Sequence, residues 1–147
     1  MPSRHALPSL LAGALTATVL LGLARIELAR ITPRAVIARN QRIAARIGTH
    51  TPTNHVIRQC DDVAFFINRM AARVPWRSDC LVQALAGQRW LAWGGIASEI
   101  AVGAAKRADG SLNAHAWLRQ EGRVVLGGDV ADLQPLLDPD QFPHDLR

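Results

Sequence analysis

A chain of 147 residues, 49% apolar and 20% charged, can bury one sizeable core, which excludes a disordered chain, a collagen-like fibre and a low-complexity tail. Two cysteines are too few for a secreted disulfide framework and are expected as reduced thiols in a cytoplasmic protein. The net charge of +5 is uneven: residues 1–59 hold eight Arg against Glu27 alone, net +7, whereas residues 60–147 hold nine basic and eleven acidic groups, net −2. No nucleic-acid partner is expected from this basic half, because it lacks stacking aromatics, the first Phe being Phe65, and no recognised nucleic-acid motif is present.

In chain order, Ala6 to Ala24 is an uncharged run of nineteen residues. Its length just reaches the ~18–20 residues of a membrane-crossing helix. Pro8, Ser9, Thr16, Thr18, Gly13 and Gly22 dilute it, so two readings stand: a helix packed on the body of the protein, or one in contact with a membrane, with the following Arg residues keeping the rest of the chain in the cytoplasm. Thr32-Pro33 predicts the capped start of a helix that ends at Ile47, before Gly48, with Val36, Ile37, Ile43, Ala44 and Ile47 as its apolar stripe. After the turn cluster at 49–54, Val56, Cys60, Val63, Ile67, Met70 and Val74 recur at helical spacing until Pro75. Cys60 lies in that stripe and is expected as a small buried hydrophobe.

Ser78 is the expected N-cap of the next helix, which carries Cys80 in its first turn and stops at Gly94-Gly95. The period then changes: 96–105 reads as a strand, 108–111 as a turn, 113–119 as a second strand, Glu121-Gly122 as a two-residue hairpin and Arg123 to Leu126 as a third strand, followed by an acidic tail from Asp129. The fold class is α+β, helices first and then a small antiparallel sheet. It divides into an Arg-rich hydrophobic helical region, 1–55, and a core, 56–147.

A thiol attacks only as the thiolate, and a helix N-terminus or a neighbouring His is what favours that form. Cys80 is at such an N-terminus, and His115 is its candidate base if the Cys80 helix packs across the side of the sheet that His115 shares with Trp117. The imidazole then needs an orienting group. A plain Glu121-Gly122 hairpin puts 115 opposite 128 and 114 opposite 129, so Asp129 is the nearest acid but on the wrong face. A bulge at Gly127-Gly128 would re-aim it, and Asp132 is the fallback. The backbone N–H of Cys80 is an expected oxyanion donor, Gln83 is expected on the helix surface, and Trp76 and Trp117 bracket the site. A zinc site from Cys60, Cys80 and His115 is not expected, because no close ligand pair exists; nor is any cofactor.

Ser78-Asp79-Cys80-Leu81-Val82-Gln83-Ala84-Leu85, Gly94-Gly95-Ile96, Ile100-Ala101-Val102-Gly103, Asn113-Ala114-His115-Ala116-Trp117-Leu118 and Glu121-Gly122-Arg123-Val124-Val125 together resemble the transglutaminase-like cysteine peptidases of lasso peptide biosynthesis, over about residues 56–128. The resemblance implies a transglutaminase-like or papain-like core with the nucleophile helix packed on a small antiparallel sheet. It implies Cys80 as nucleophile and His115 as general base in removing the leader from a ribosomally made precursor peptide, after which a separate lasso cyclase acts. The family's third catalytic residue is an Asp in the strand after the His, where this chain has Gly127 and Gly128, so Asp129 stands in for it. Some members also carry a winged-helix leader-recognition domain, for which residues 1–55 leave no room, and a separate leader-recognition protein is the implied partner. A transglutaminase-like acyltransferase and a non-catalytic scaffold on a membrane or partner are the alternatives.

Overall fold

A computed structural model describes residues 7–48, 51–106, 108–130 and 134–137. Four helices come first, α1 (Leu7–Arg30), α2 (Pro33–Ile47), α3 (Asn54–Ala71) and α4 (Cys80–Trp93), followed by four strands, β1 (Glu99–Lys106), β2 (Leu112–Gln120), β3 (Arg123–Leu126) and β4 (Gln134–Leu137). The sheet order is β3-β2-β1-β4, with every neighbouring pair antiparallel. The expected α+β class is therefore found. β4 was not expected: its four residues fall in the stretch whose composition reads as an acidic tail.

Local chemistry sets the helix starts. Pro33 occupies the first turn of α2, where its missing N–H is harmless and its fixed φ suits the helix, while Thr32 before it is extended and makes no side-chain cap bond. Thr53 caps α3 by accepting the N–H of Val56 at 3.3 Å. α3 ends at Ala71, before the expected stop at Pro75, so Val74 lies outside the helix.

α4 is the centre of the molecule. Val82, Ala84, Leu85, Ala86, Gly87, Gln88 and Leu91 are buried around nearly its whole circumference, because α1, α2 and α3 cover one side and the sheet the other. A helix enclosed in this way has no polar face, which explains its weakly periodic sequence. The tightest layer is at Gly87, where an added Cβ would come within 2.4 Å of Leu126 and 3.0 Å of Leu118. α1 supplies Ala17, Leu20, Leu21 and Ala24, each no more than 1% exposed, to the same core that holds Ile67, Leu85 and Leu118. That core therefore draws on residues from both sides of position 55.

Glu27 pins three helices together: its carboxylate takes Arg39 of α2 at 2.8 Å and Arg89 of α4 at 2.7 Å. Partial burial alone would raise its pKa, but the hydrogen bonds and charges of Arg89 and Arg39 outweigh it and hold the carboxyl below its ordinary value. Because the folded value lies below the unfolded one, this contribution is complete above about pH 4.3 and is lost as pH falls through the folded value. Glu27→Gln is expected to lower stability at pH 7 by about 1–2 kcal/mol in urea denaturation, with the gap closing in acid. A gap as wide at pH 3 as at pH 7 would show that the charge is not what matters.

Candidate active site

Asp79, and not Ser78, caps α4. Its extended backbone puts the carboxylate on the N–H of Val82 at 3.2 Å, and its carbonyl accepts the N–H of Gln83 at 3.0 Å. Ser78 is one residue too early, and its hydroxyl is buried without a hydrogen-bond partner among the described residues. Cys80 is thus the first residue of the helix. The N–H groups of Cys80 and Leu81 have no acceptor within the helix, so they point from its positive end toward whatever charge develops beside the sulfur. Gln83 is not the surface residue expected: it is half-buried, and its side chain turns back to donate to the Ser78 carbonyl at 2.8 Å, bracing the loop that delivers Cys80.

β2 approaches the thiol by its edge. Leu118 packs on Gly87 of α4, so the face of β2 that carries Ala116 and Leu118 is the one turned to the helix, and alternation puts His115 and Trp117 on the other. The helix therefore does not cross the His115 side, as the sequence reading required. Instead Cys80 meets the strand at its edge: its Sγ accepts the N–H of Ala116 at 3.4 Å. That amide belongs to the peptide bond joining His115 to Ala116, two residues beyond the last β3 pair, Leu118 with Leu126. A regular third strand would cover this edge, but β3 stops short.

The β2–β3 hairpin and the segment that follows it also orient the imidazole. Glu121 and Gly122 both have positive φ, 45° and 78°, as a two-residue turn requires. The bulge expected at Gly127-Gly128 lies earlier: Arg119 faces Val124 but Leu118 faces Leu126, so Val125 is the extra residue. The chain then folds tightly over β2 at Gly127, whose φ is 118° and where a Cβ would sit 2.3 Å from that of Trp117. This places the Gly127 carbonyl 2.6 Å from His115 Nε2. A carbonyl only accepts, so Nε2 carries a proton, and in the neutral tautomer that fits this bond the lone pair is on Nδ1. Trp117, 4% exposed, stacks beside the ring at a centroid distance of 6.3 Å and 22° between planes. Gly103 faces His115 across β1, leaving the ring uncrowded on that side.

Of the residues named from sequence, Cys80 meets the β2 backbone at Ala116, the residue after His115, while the His115 side chain lies on the strand face turned away from α4. Asp129 lies exposed two residues beyond the orienting carbonyl, and Asp132 falls outside the described residues. Trp76 is half-buried, its ring against Gly22 of α1. Cys60 is 2% exposed inside the core, where burial pushes its thiol pKa up, against a smaller lowering by Arg123. It is a packing residue. Among the described residues, the Gly127 carbonyl is a partner of His115 that sequence reasoning missed, and a backbone acceptor leaves no side-chain trace beyond the glycine pair that allows the tight turn.

No curated protein and no solved structure was found to match this chain. The model of the transglutaminase-like superfamily matches residues 14–138, which takes in α1 from Ala14 onward, the other three helices, the thiol edge and the described sheet. The chain belongs to the transglutaminase-like superfamily.

Proposed function

We propose that this protein is a cysteine peptidase that cuts the leader from a ribosomally synthesised lasso precursor peptide, in cooperation with a separate leader-recognition protein and ahead of a lasso cyclase. The observation that carries the chemistry is the Cys80 sulfur at the peptide bond of His115, on the edge where the Gly127 carbonyl holds Nε2–H. In this reading His115 Nδ1 takes the thiol proton and Cys80 attacks the scissile carbonyl carbon. The oxyanion forms beside the N–H groups at the start of α4. Collapse breaks the C–N bond, His115 returns the proton to the departing amine, and a thioester remains. Water, deprotonated by the same imidazole, then releases the acid. The substrate class rests on the run of motifs from Ser78 to Val125 that resembles the lasso peptidases.

Incubation of the purified chain with a candidate precursor and its leader-binding protein, read by mass spectrometry, is the direct test. Free leader and core peptide are expected, and intact precursor would defeat the reading. Adding a primary amine separates hydrolysis from acyl transfer, since both pass through the same thioester: the leader should still be released mainly as the acid. A dominant leader amide would make the protein an acyltransferase.

Asp129 is proposed as charged support for the imidazole, secondary to the Gly127 carbonyl. Asp129→Asn should lower kcat/KM by about tenfold, because the carbonyl keeps the tautomer. A loss nearer the ~10⁴-fold seen when a sole orienter is removed would make Asp129 the main one.

A further inference from the structure

α1 is apolar on two opposite faces, and the fold uses only one of them. Ala17, Leu20, Leu21 and Ala24 are sealed against α3 and α4. On the other side Leu11, Leu15, Val19 and Leu23 recur every four residues, with Ile26 three further on, at 71, 66, 48, 42 and 50% exposure. This spacing aligns them in one stripe about 22 Å long. A contiguous apolar surface of this kind marks a docking face.

From the chemistry bordering this stripe we infer that α1 docks the protein on an anionic bilayer, lying in the plane of the interface with Leu11, Leu15, Val19, Leu23 and Ile26 among the lipid chains. Two observations favour lipid over a protein partner. The hydroxyls of Thr16 and Thr18 turn inward onto the carbonyls of Ala12 and Ala14 at 2.9 and 2.8 Å, as in helices facing hydrocarbon, so neither is directed at a partner's polar groups. The charge at the C-terminal end of the stripe is also one-sided, Asp62 of α3 lying further along, in the groove beside Ala12, Gly13 and Thr16. Arg25 and Arg30 are exposed at its C-terminal end and Arg42 and Arg46 on α2, while Glu27, the single acid among residues 1–59, is already held by Arg39 and Arg89. Trp93, 66% exposed, borders the groove beside Ala12, Gly13 and Thr16, a position that suits an interfacial aromatic ring. The helix is long and apolar enough to cross a membrane, but crossing would strip Leu20 and Leu21 from the core, so it lies on the bilayer instead of spanning it.

Flotation of the full chain with vesicles tests this without reference to peptidase activity. Phosphatidylglycerol-containing vesicles should carry the protein up the gradient, with partitioning about tenfold weaker on pure phosphatidylcholine. Leu15→Gln with Val19→Gln should weaken binding about tenfold or more while leaving the melting temperature unchanged, since both side chains are exposed. Arg25→Ala with Arg30→Ala should remove the preference for anionic lipid. Protein left at the bottom with every vesicle would overturn the inference, as would equal flotation of the wild type and the Gln pair. Light scattering that shows a dimer dissolved by the Gln pair would assign the stripe to a second copy of this chain and would overturn it too.

Discussion

Cys80→Ala is expected to abolish precursor cleavage, with a loss of at least about 10³-fold in kcat/KM, while the melting temperature and circular dichroism stay near those of the parent. Among the described residues the sulfur's polar contact is the N–H of Ala116, and Cys80 is only half-buried, so its removal opens no cavity in the core. The measurement is the initial rate of leader release by mass spectrometry with the leader-recognition protein present. Cys80→Ser is the informative companion: it keeps a group that can accept the Ala116 N–H but is a far weaker nucleophile, so it should be as inactive as the alanine variant. Equal cleavage by wild type and Cys80→Ala would remove Cys80 from the chemistry altogether. Loss of fold in the alanine variant would point instead to a structural thiol.

Gly127→Ala is expected to damage both stability and catalysis. At φ 118° the backbone is strained for any L side chain, and the new Cβ would meet Trp117 at its Cβ, 2.3 Å away, and its Cα, 2.9 Å away. Neither atom belongs to a flexible side-chain end, and Trp117 is 4% exposed, so the segment after β3 has to lift off β2. Lifting it withdraws the carbonyl from His115 Nε2. Stability should fall by about 2–4 kcal/mol, and kcat/KM by about 10²-fold beyond any loss of folded protein. The specific readout is the imidazole ¹⁵N shift pattern, which should change from a fixed Nε2–H tautomer to a mixture. Gly128→Ala is the control: its φ is also positive, at 70°, but no atom lies within 4 Å of the added Cβ, so only about 1–2 kcal/mol of backbone strain is expected, with activity kept. If the two substitutions behave alike, backbone strain and not the approach to β2 governs this turn.

Much of the architecture could be read along the chain because it follows from local chemistry. Thr32-Pro33 and Gly48 bound α2 where the structure bounds it, and Arg123 to Leu126 is β3 residue for residue. Period and capping are local properties, and Pro at a helix start or Gly at positive φ leaves a direct mark in the sequence. The exceptions have local causes too. Asp79 displaces Ser78 as cap because either side chain could serve and only one backbone position starts the helix. β4 escaped notice because a four-residue edge strand is defined by its pairing with β1, which no local pattern announces.

For the site, the sequence by itself determined the candidate residue types: a cysteine at a helix start, a histidine in an alternating strand, and a glycine pair where an acid was expected. Only the tertiary structure decided how they are placed. An alternating pattern defines two faces but does not say which one a helix covers, and Leu118, not His115, turned out to be the residue packed beneath α4. Nor does the pattern show that Val125 is an extra residue or that β3 ends at Leu126 and leaves the edge at Ala116 open to the thiol, because a one-residue change of register depends on the packing of both partners. The same limit applied to α1, which is apolar throughout as a sequence. Its division into a sealed face and an open stripe exists only once α3 and α4 are packed against it.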